Sequence, residues 1–135
     1  MNKEKEFYSD NVSDILTKTR ELCEAKSYFE TCGLIGFKDG KYIVRECENL
    51  SLDPSHEFVL SPLDYIVFKE EFELMCIYHS HPIGDSKPSD HDMLASENAC
   101  VPYLIYSVEN KSLDLYEPKS SEIKRDMFKG MRELI

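Results

Sequence analysis

Two histidines one residue apart, His79 and His81, close an apolar run and are followed at once by Pro82. In an extended strand the side chains at i and i+2 share a face, so both imidazoles project together while Ser80 turns away. Pro82 has no N–H to donate and stops the ladder there. Ten residues separate His81 from Asp92. Pro88 and Ser89 read as the opening of a helix, which puts Ser89 and Asp92 on one face of its first turn. Two imidazoles and a carboxylate converging on a point suit Zn²⁺, one ion per chain, with a fourth corner left for water. Zinc lowers the pKa of such a water towards neutrality. That chemistry needs two more groups: a base to take and pass on the proton, and a donor for the oxyanion that forms. Ser89 is placed to be the donor. Glu30 is the candidate base, because it directly precedes the apolar stretch 31–37, "TCGLIGF", where an acid is hard to explain by packing.

Each of these residues also has a plainer reading. A serine at a helix N-cap with an acid three residues on forms a capping box, although Asp is a shorter arm than the usual Glu or Gln. Glu30 alone reads as a solvated acid at a helix end. Cys32 reads as buried, with a thiolate that closes the fourth corner as the alternative. Asp90 and His91 are turned away from Asp92 on a helix and read as solvent-facing. Asp85 beside Gly84 reads as a turn residue, and His56 as an exposed strand residue.

The elements that position these groups follow from periodicity and punctuation. Residues 10–27 carry an imperfect helical repeat. Residues 31–37 read as a buried strand, "KDG" as a hairpin turn and the chain from Lys41 as the returning strand. "HEFVL", residues 56–60, reads as a short strand. Ser61 as N-cap and Pro62 at the first helical position open the next helix. Residues 73–81, "ELMCIYHSH", form the strand that ends in the two histidines. A helix from Pro88, two strands joined through "ENK", and a terminal helix over 120–134 complete the chain. The fold class is α/β or α+β, a curved mixed β-sheet flanked by helices.

At 135 residues the chain reads as a single domain, 1–135, able to bury a core without staples. It holds no apolar run of membrane-spanning length and no signal-like N-terminus. A net charge of −10 is the wrong sign for a phosphate-binding footprint, so neither nucleic acid nor membrane is an expected partner. Five scattered cysteines without a Cys-x-x-Cys pair read as reduced thiols, which makes the cytoplasm the expected address.

"HSHPIGDSKPSDHD" resembles the His-x-His-Pro-x6-Ser-x2-Asp signature of the JAMM (JAB1/MPN/Mov34) metallopeptidases, and "ETCGLIG" resembles that family's upstream Glu with its Cys-Gly strand. The resemblance runs from about residue 10 to residue 116. It implies a cytidine-deaminase-like JAMM/MPN core in which His79, His81 and Asp92 ligate zinc, Glu30 is general acid/base and Ser89 steadies the oxyanion. It also implies hydrolysis of a peptide or isopeptide bond in a protein or peptide substrate, a ubiquitin-like tail among the candidates. A non-catalytic scaffold of the same fold is the alternative. "NLSLDPSHEFVLSPLDY" is similar to the JAMM half of bacteriophage tail-assembly proteins, which implies tail maturation as a third reading and, for a phage-encoded chain, the host cytoplasm. The resemblance leaves the oligomeric state open.

Overall fold

The computed structural model describes residues 5–121, 132, 134 and 135. A six-stranded sheet runs in the order β1-β3-β2-β4-β5-β6, from β1 (Glu6–Ser9), β2 (Cys32–Lys38), β3 (Lys41–Cys47), β4 (Glu73–His81), β5 (Tyr103–Ser107) and β6 (Ser112–Tyr116). Three helices, α1 (Val12–Ala25), α2 (Pro62–Glu71) and α3 (Asp90–Ala99), lie between strands. All neighbours are antiparallel except β4 and β5, which are parallel. A parallel pair needs a crossover, and α3 supplies it. The sheet is therefore mixed, as expected from the sequence.

The two faces of the sheet carry separate cores. In α1, Ile15, Leu16, Thr19 and Cys23 form the buried stripe, and it packs with Ile35, Val44, Met75, Tyr78 and Leu104 on one face. Cys32, Leu34, Ile43, Ile77 and Ile105 occupy the other face, under Phe68 of α2. Alternation along the second half of β4 sends Cys76 and Tyr78 to the α1 side and Ile77 to the α2 side, the two-residue period of a strand buried on both faces. A register shift against β2 at Met75 puts Met75 on the α1 side as well. His79 continues the Ile77 side. Gly33 faces Tyr78 across the β2–β4 pair, and a Cβ there would come within 2.3 Å of the Tyr78 ring. Tyr78 fits under the sheet because that side chain is missing.

The hairpin between β2 and β3 turns through Asp39 and Gly40, both at positive φ, the signature of a two-residue Asp-Gly connection. Ser61 caps α2 by accepting from the Asp64 N–H. Residues 73–81 form β4 as the sequence predicts. Two differences stand out. Residues 56–60 do not form a strand, because the Val59 N–H donates to the Asn49 side chain and the Leu50 N–H to Val59 O, so no ladder develops. The short edge strand β1, paired with β3, carries too little pattern in four residues to be read beforehand. The expected terminal helix over 120–134 falls almost wholly outside the described residues. Among the described residues no helix is long and apolar enough to cross a membrane.

Candidate metal centre

β4 ends at the site. His79 lies in the sheet, opposite Cys32 of β2 and Ile105 of β5, and is wholly buried. Phe58 stacks on its ring at 4.6 Å and Tyr103 meets it edge-on at 5.4 Å. His81, one pleat further, reaches the sheet's end and is half-buried. Its Nδ1 sits 2.9 Å from the Asp85 carbonyl. A carbonyl can only accept, so Nδ1 carries the hydrogen and leaves the Nε2 lone pair bare for a cation. Asp85 is a turn residue as expected, its Oδ1 accepting from the Lys87 N–H, and its main-chain oxygen orients the ligand as well.

α3 brings the carboxylate. Ser89 is its N-cap, with the Ser89 Oγ accepting from the Asp92 N–H and the Ser89 N–H donating to Asp92 Oδ2, each at 3.0 Å. The shorter arm of Asp closes a full capping box after all. The same two bonds fix the carboxylate so that Oδ1 lies 3.1 Å from His79 Nε2 and Oδ2 lies 3.0 Å from His81 Nε2.

The donor atoms of His79, His81 and Asp92 all lie within 4.8 Å of one another, and this group could hold a metal ion. Its chemistry fits one. Both His79 ring nitrogens are buried and without a hydrogen bond, although the carboxylate is close by, and such orphans are costly unless something absent satisfies them. The two imidazole–carboxylate separations, which run to different oxygens, are shorter than the edge of roughly 3.3–3.6 Å of a tetrahedron with bonds of about 2.0–2.2 Å, so the donors move slightly apart around an ion. Electrostatics agrees. Burial holds His79 below the ordinary imidazole pKa, so a neutral nitrogen is available. Burial would raise Asp92, but the two imidazoles and the Ser89 N–H hold it well below the usual carboxylate range. Burial would lower His81, and the Asp92 carboxylate with the Asp85 carbonyl reverses that and raises it.

Glu30 stands outside the ligand group but lines the same open groove of about 950 Å³ as His81, Ser89 and Asp92. It comes from the irregular segment before β2. Its N–H donates to Pro54 O at 2.7 Å and its carbonyl accepts from Asn49 Nδ2 at 2.9 Å. Burial pushes its carboxyl up to about 7, with His81 opposing the rise and Asp92 adding to it. Cys32 does not join the ligands. Its Sγ faces the carbonyls of Cys47 and Glu48 at 3.8 Å each, and burial raises the thiol to about 12, so no thiolate closes the fourth corner. Asp90 and His91 are exposed, as expected, though His91 sits on the groove's rim. His56 is exposed in a loop and not in a strand, its Nδ1 3.0 Å from Asp53 Oδ1. Phe58 and Asn49 are site residues that the sequence reading missed. Both act across long separations from an irregular loop, where no spacing rule reaches.

Residues 12–120 match the family of prokaryotic homologs of the JAB domain, Prok-JAB. The chain belongs to this family. The tail tip assembly protein K of Escherichia phage N15 is 31% identical over 90 residues, 67% of this chain. The Prok-JAB chain spans 37% of that relative's own length. A solution structure from Desulfitobacterium hafniense shares the fold with a TM-score of 0.53 at 20% identity, covering 86% of this chain and 92% of that one. A second, from Salinibacter ruber, gives 0.51 at 22% identity, over 84% and 85%.

Proposed function

We propose that this Prok-JAB chain is a zinc-dependent peptidase or isopeptidase that cuts a peptide or isopeptide bond after the C-terminal tail of a ubiquitin-like or other small protein. The observation that carries the reading is the convergence of His79, His81 and Asp92, with two orphaned nitrogens on the buried His79, beside a groove that His81, Asp92 and Glu30 line. Zinc held by these three residues would supply a Lewis acid and a water made acidic near neutral pH. The chain's own groups do the rest. Glu30, poised near neutrality, takes a proton from the attacking water at a carboxylate oxygen and hands it to the leaving amine. The Ser89 Oγ accepts one bond from the helix, so its hydrogen is free to donate to the oxyanion. His79, shielded by Phe58 and Tyr103, keeps water away from the rear of the centre. The groove is open and admits an extended peptide.

The likeness to a tail tip assembly protein favours a second choice of substrate, a protein of a phage tail cut during assembly. Zinc-loaded protein incubated with a glycine-tailed ubiquitin-like fusion and with purified phage tail-tip proteins, read by mass spectrometry, separates the two. Cleavage that stops in Glu30→Gln supports the peptidase reading. Intact substrates in every zinc-loaded sample would sink it in favour of a non-catalytic scaffold.

A further inference from the structure

The half-buried side-chain amide of Asn49 has all its hydrogen-bonding capacity in use. Nδ2 donates to Glu30 O at 2.9 Å and to Glu57 O at 3.0 Å. Oδ1 accepts from the Ser51 and Val59 N–H groups, each at 3.0 Å. A primary amide offers two donors and two acceptor lone pairs, so nothing is left over for water. Three of those bonds gather the loop of residues 51–59 around Asn49, and the fourth ties that loop to Glu30. The loop returns a contact of its own, Pro54 O accepting from the Glu30 N–H. Phe58, whose ring stacks on His79, lies between the two loop residues that Asn49 grips, Glu57 and Val59. Neither Glu30 nor Phe58 belongs to a helix or strand, so no ladder sets their positions.

We propose that Asn49 is the positioning residue of the centre: one amide sets where the Glu30 carboxylate stands and holds the Phe58 ring over His79. The part concerning Glu30 rests on the peptidase reading, whereas the placement of Phe58 does not. Two variants separate the arms of the amide. Asn49→Ala removes all four bonds. Asn49→Asp keeps the acceptor for Ser51 and Val59 but sets a carboxylate oxygen against the carbonyls of Glu30 and Glu57.

The test is nuclear magnetic resonance on the full chain, metal-free and zinc-loaded, alongside hydrolysis. In Asn49→Ala the Ser51 and Val59 amides exchange roughly tenfold faster, as expected for lost hydrogen bonds of ordinary strength. The His79 ring-proton signals move towards their positions in Phe58→Leu, because the stacked ring no longer shifts them. In Asn49→Asp those amides and the His79 signals stay as in the parent, the Glu30 amide exchanges faster, and kcat falls with KM and bound zinc unchanged. Should Asn49→Ala fail to fold, Asn49→Asp decides the Glu30 half and the shorter Asn49→Ser, read by the same His79 signals, decides the Phe58 half. His79 signals unchanged in Asn49→Ala together with Glu30 exchange unchanged in Asn49→Asp overturn the proposal. The expected resonance shifts in a protein without hydrolysis, parent included, support the placement of Phe58 and sink the peptidase reading instead.

Discussion

The two sides of the centre are built in opposite ways. On the ligand side, His79 and His81 ride on the central strand and Asp92 on the first turn of α3, all three held by regular main-chain bonding. On the Glu30 side, the acid and Phe58 sit in irregular chain. The Asn49 amide and the Pro54 carbonyl bind Glu30, and the Asn49 amide shares the Phe58 loop with the bond from the Leu50 N–H to Val59 O. A cation needs donors that stay put, because its bonds fix both length and angle. A proton carrier needs to approach and retreat by fractions of an ångström. The strand end and helix cap suit the first task and the pinned loop suits the second.

Substitutions on the ligand side break this comparison hardest. Asp92→Ala abolishes zinc binding and turnover and removes half of the α3 capping box, so it lowers thermal stability as well. Asp92→Asn weakens the metal and leaves much of the cap. Elemental analysis and thermal melts of both variants check this. Glu30→Gln keeps one zinc per chain and loses roughly 10²–10⁴-fold in rate, the usual weight of a general acid/base. Unchanged turnover in metal-replete Glu30→Gln would assign the proton to another group. Ser89→Ala lies across the divide. It costs about 10²–10³-fold if the hydroxyl serves the oxyanion and about 1 kcal/mol of stability for the lost cap, and rates measured with denaturation curves separate the two.

A smaller effect sharpens the same contrast without any substrate. The Glu30 carboxyl rises from 4.5 to about 7 in the folded, metal-free chain. Between those values the folded state binds more protons than the unfolded state, so stability falls as pH rises through this window. Urea midpoints measured from pH 4 to 8 show that slope in the metal-free parent and a flatter one in Glu30→Gln. Cys32→Ser has the least effect, because the thiol faces main-chain carbonyls and not the ligands. Cobalt-loaded protein shows no thiolate charge-transfer band, and the variant keeps its metal and its rate.

The same divide marks what could be read from the sequence. The ligand side was legible because strand and helix convert spacing into direction: a two-residue step for the histidines, a three-residue step for Ser89 and Asp92. The bounds of β4 and the Asp-Gly hairpin came with it, for the same reason. Glu30 was singled out by its oddity before an apolar strand and does line the groove, yet its anchoring was not legible, because Asn49 and Pro54 lie about twenty residues away in a loop. Phe58 was misplaced in a strand by its alternating neighbours. Its extended chain pairs with a side-chain amide, and propensity does not distinguish that from a ladder. The capping box was one of two readings of Ser89 and Asp92 in the sequence, weakened by the short arm of Asp; helix geometry brings that arm within 3.0 Å of the Ser89 N–H.

The capping box has an evolutionary consequence. The three ligands differ in what else the fold asks of them. His81 stands half-exposed at a strand end and can be replaced at little structural cost. His79 fills a wholly buried slot between two aromatic rings, so a substitute must be flat or leave a void. Asp92 holds a helix terminus whether or not an ion is present. A lineage that abandoned hydrolysis while keeping the scaffold would therefore shed these residues in order, His81 first, His79 next and Asp92 last. An aspartate surviving alone at this position in a chain without the histidines would be a relic of capping and no sign of a metal.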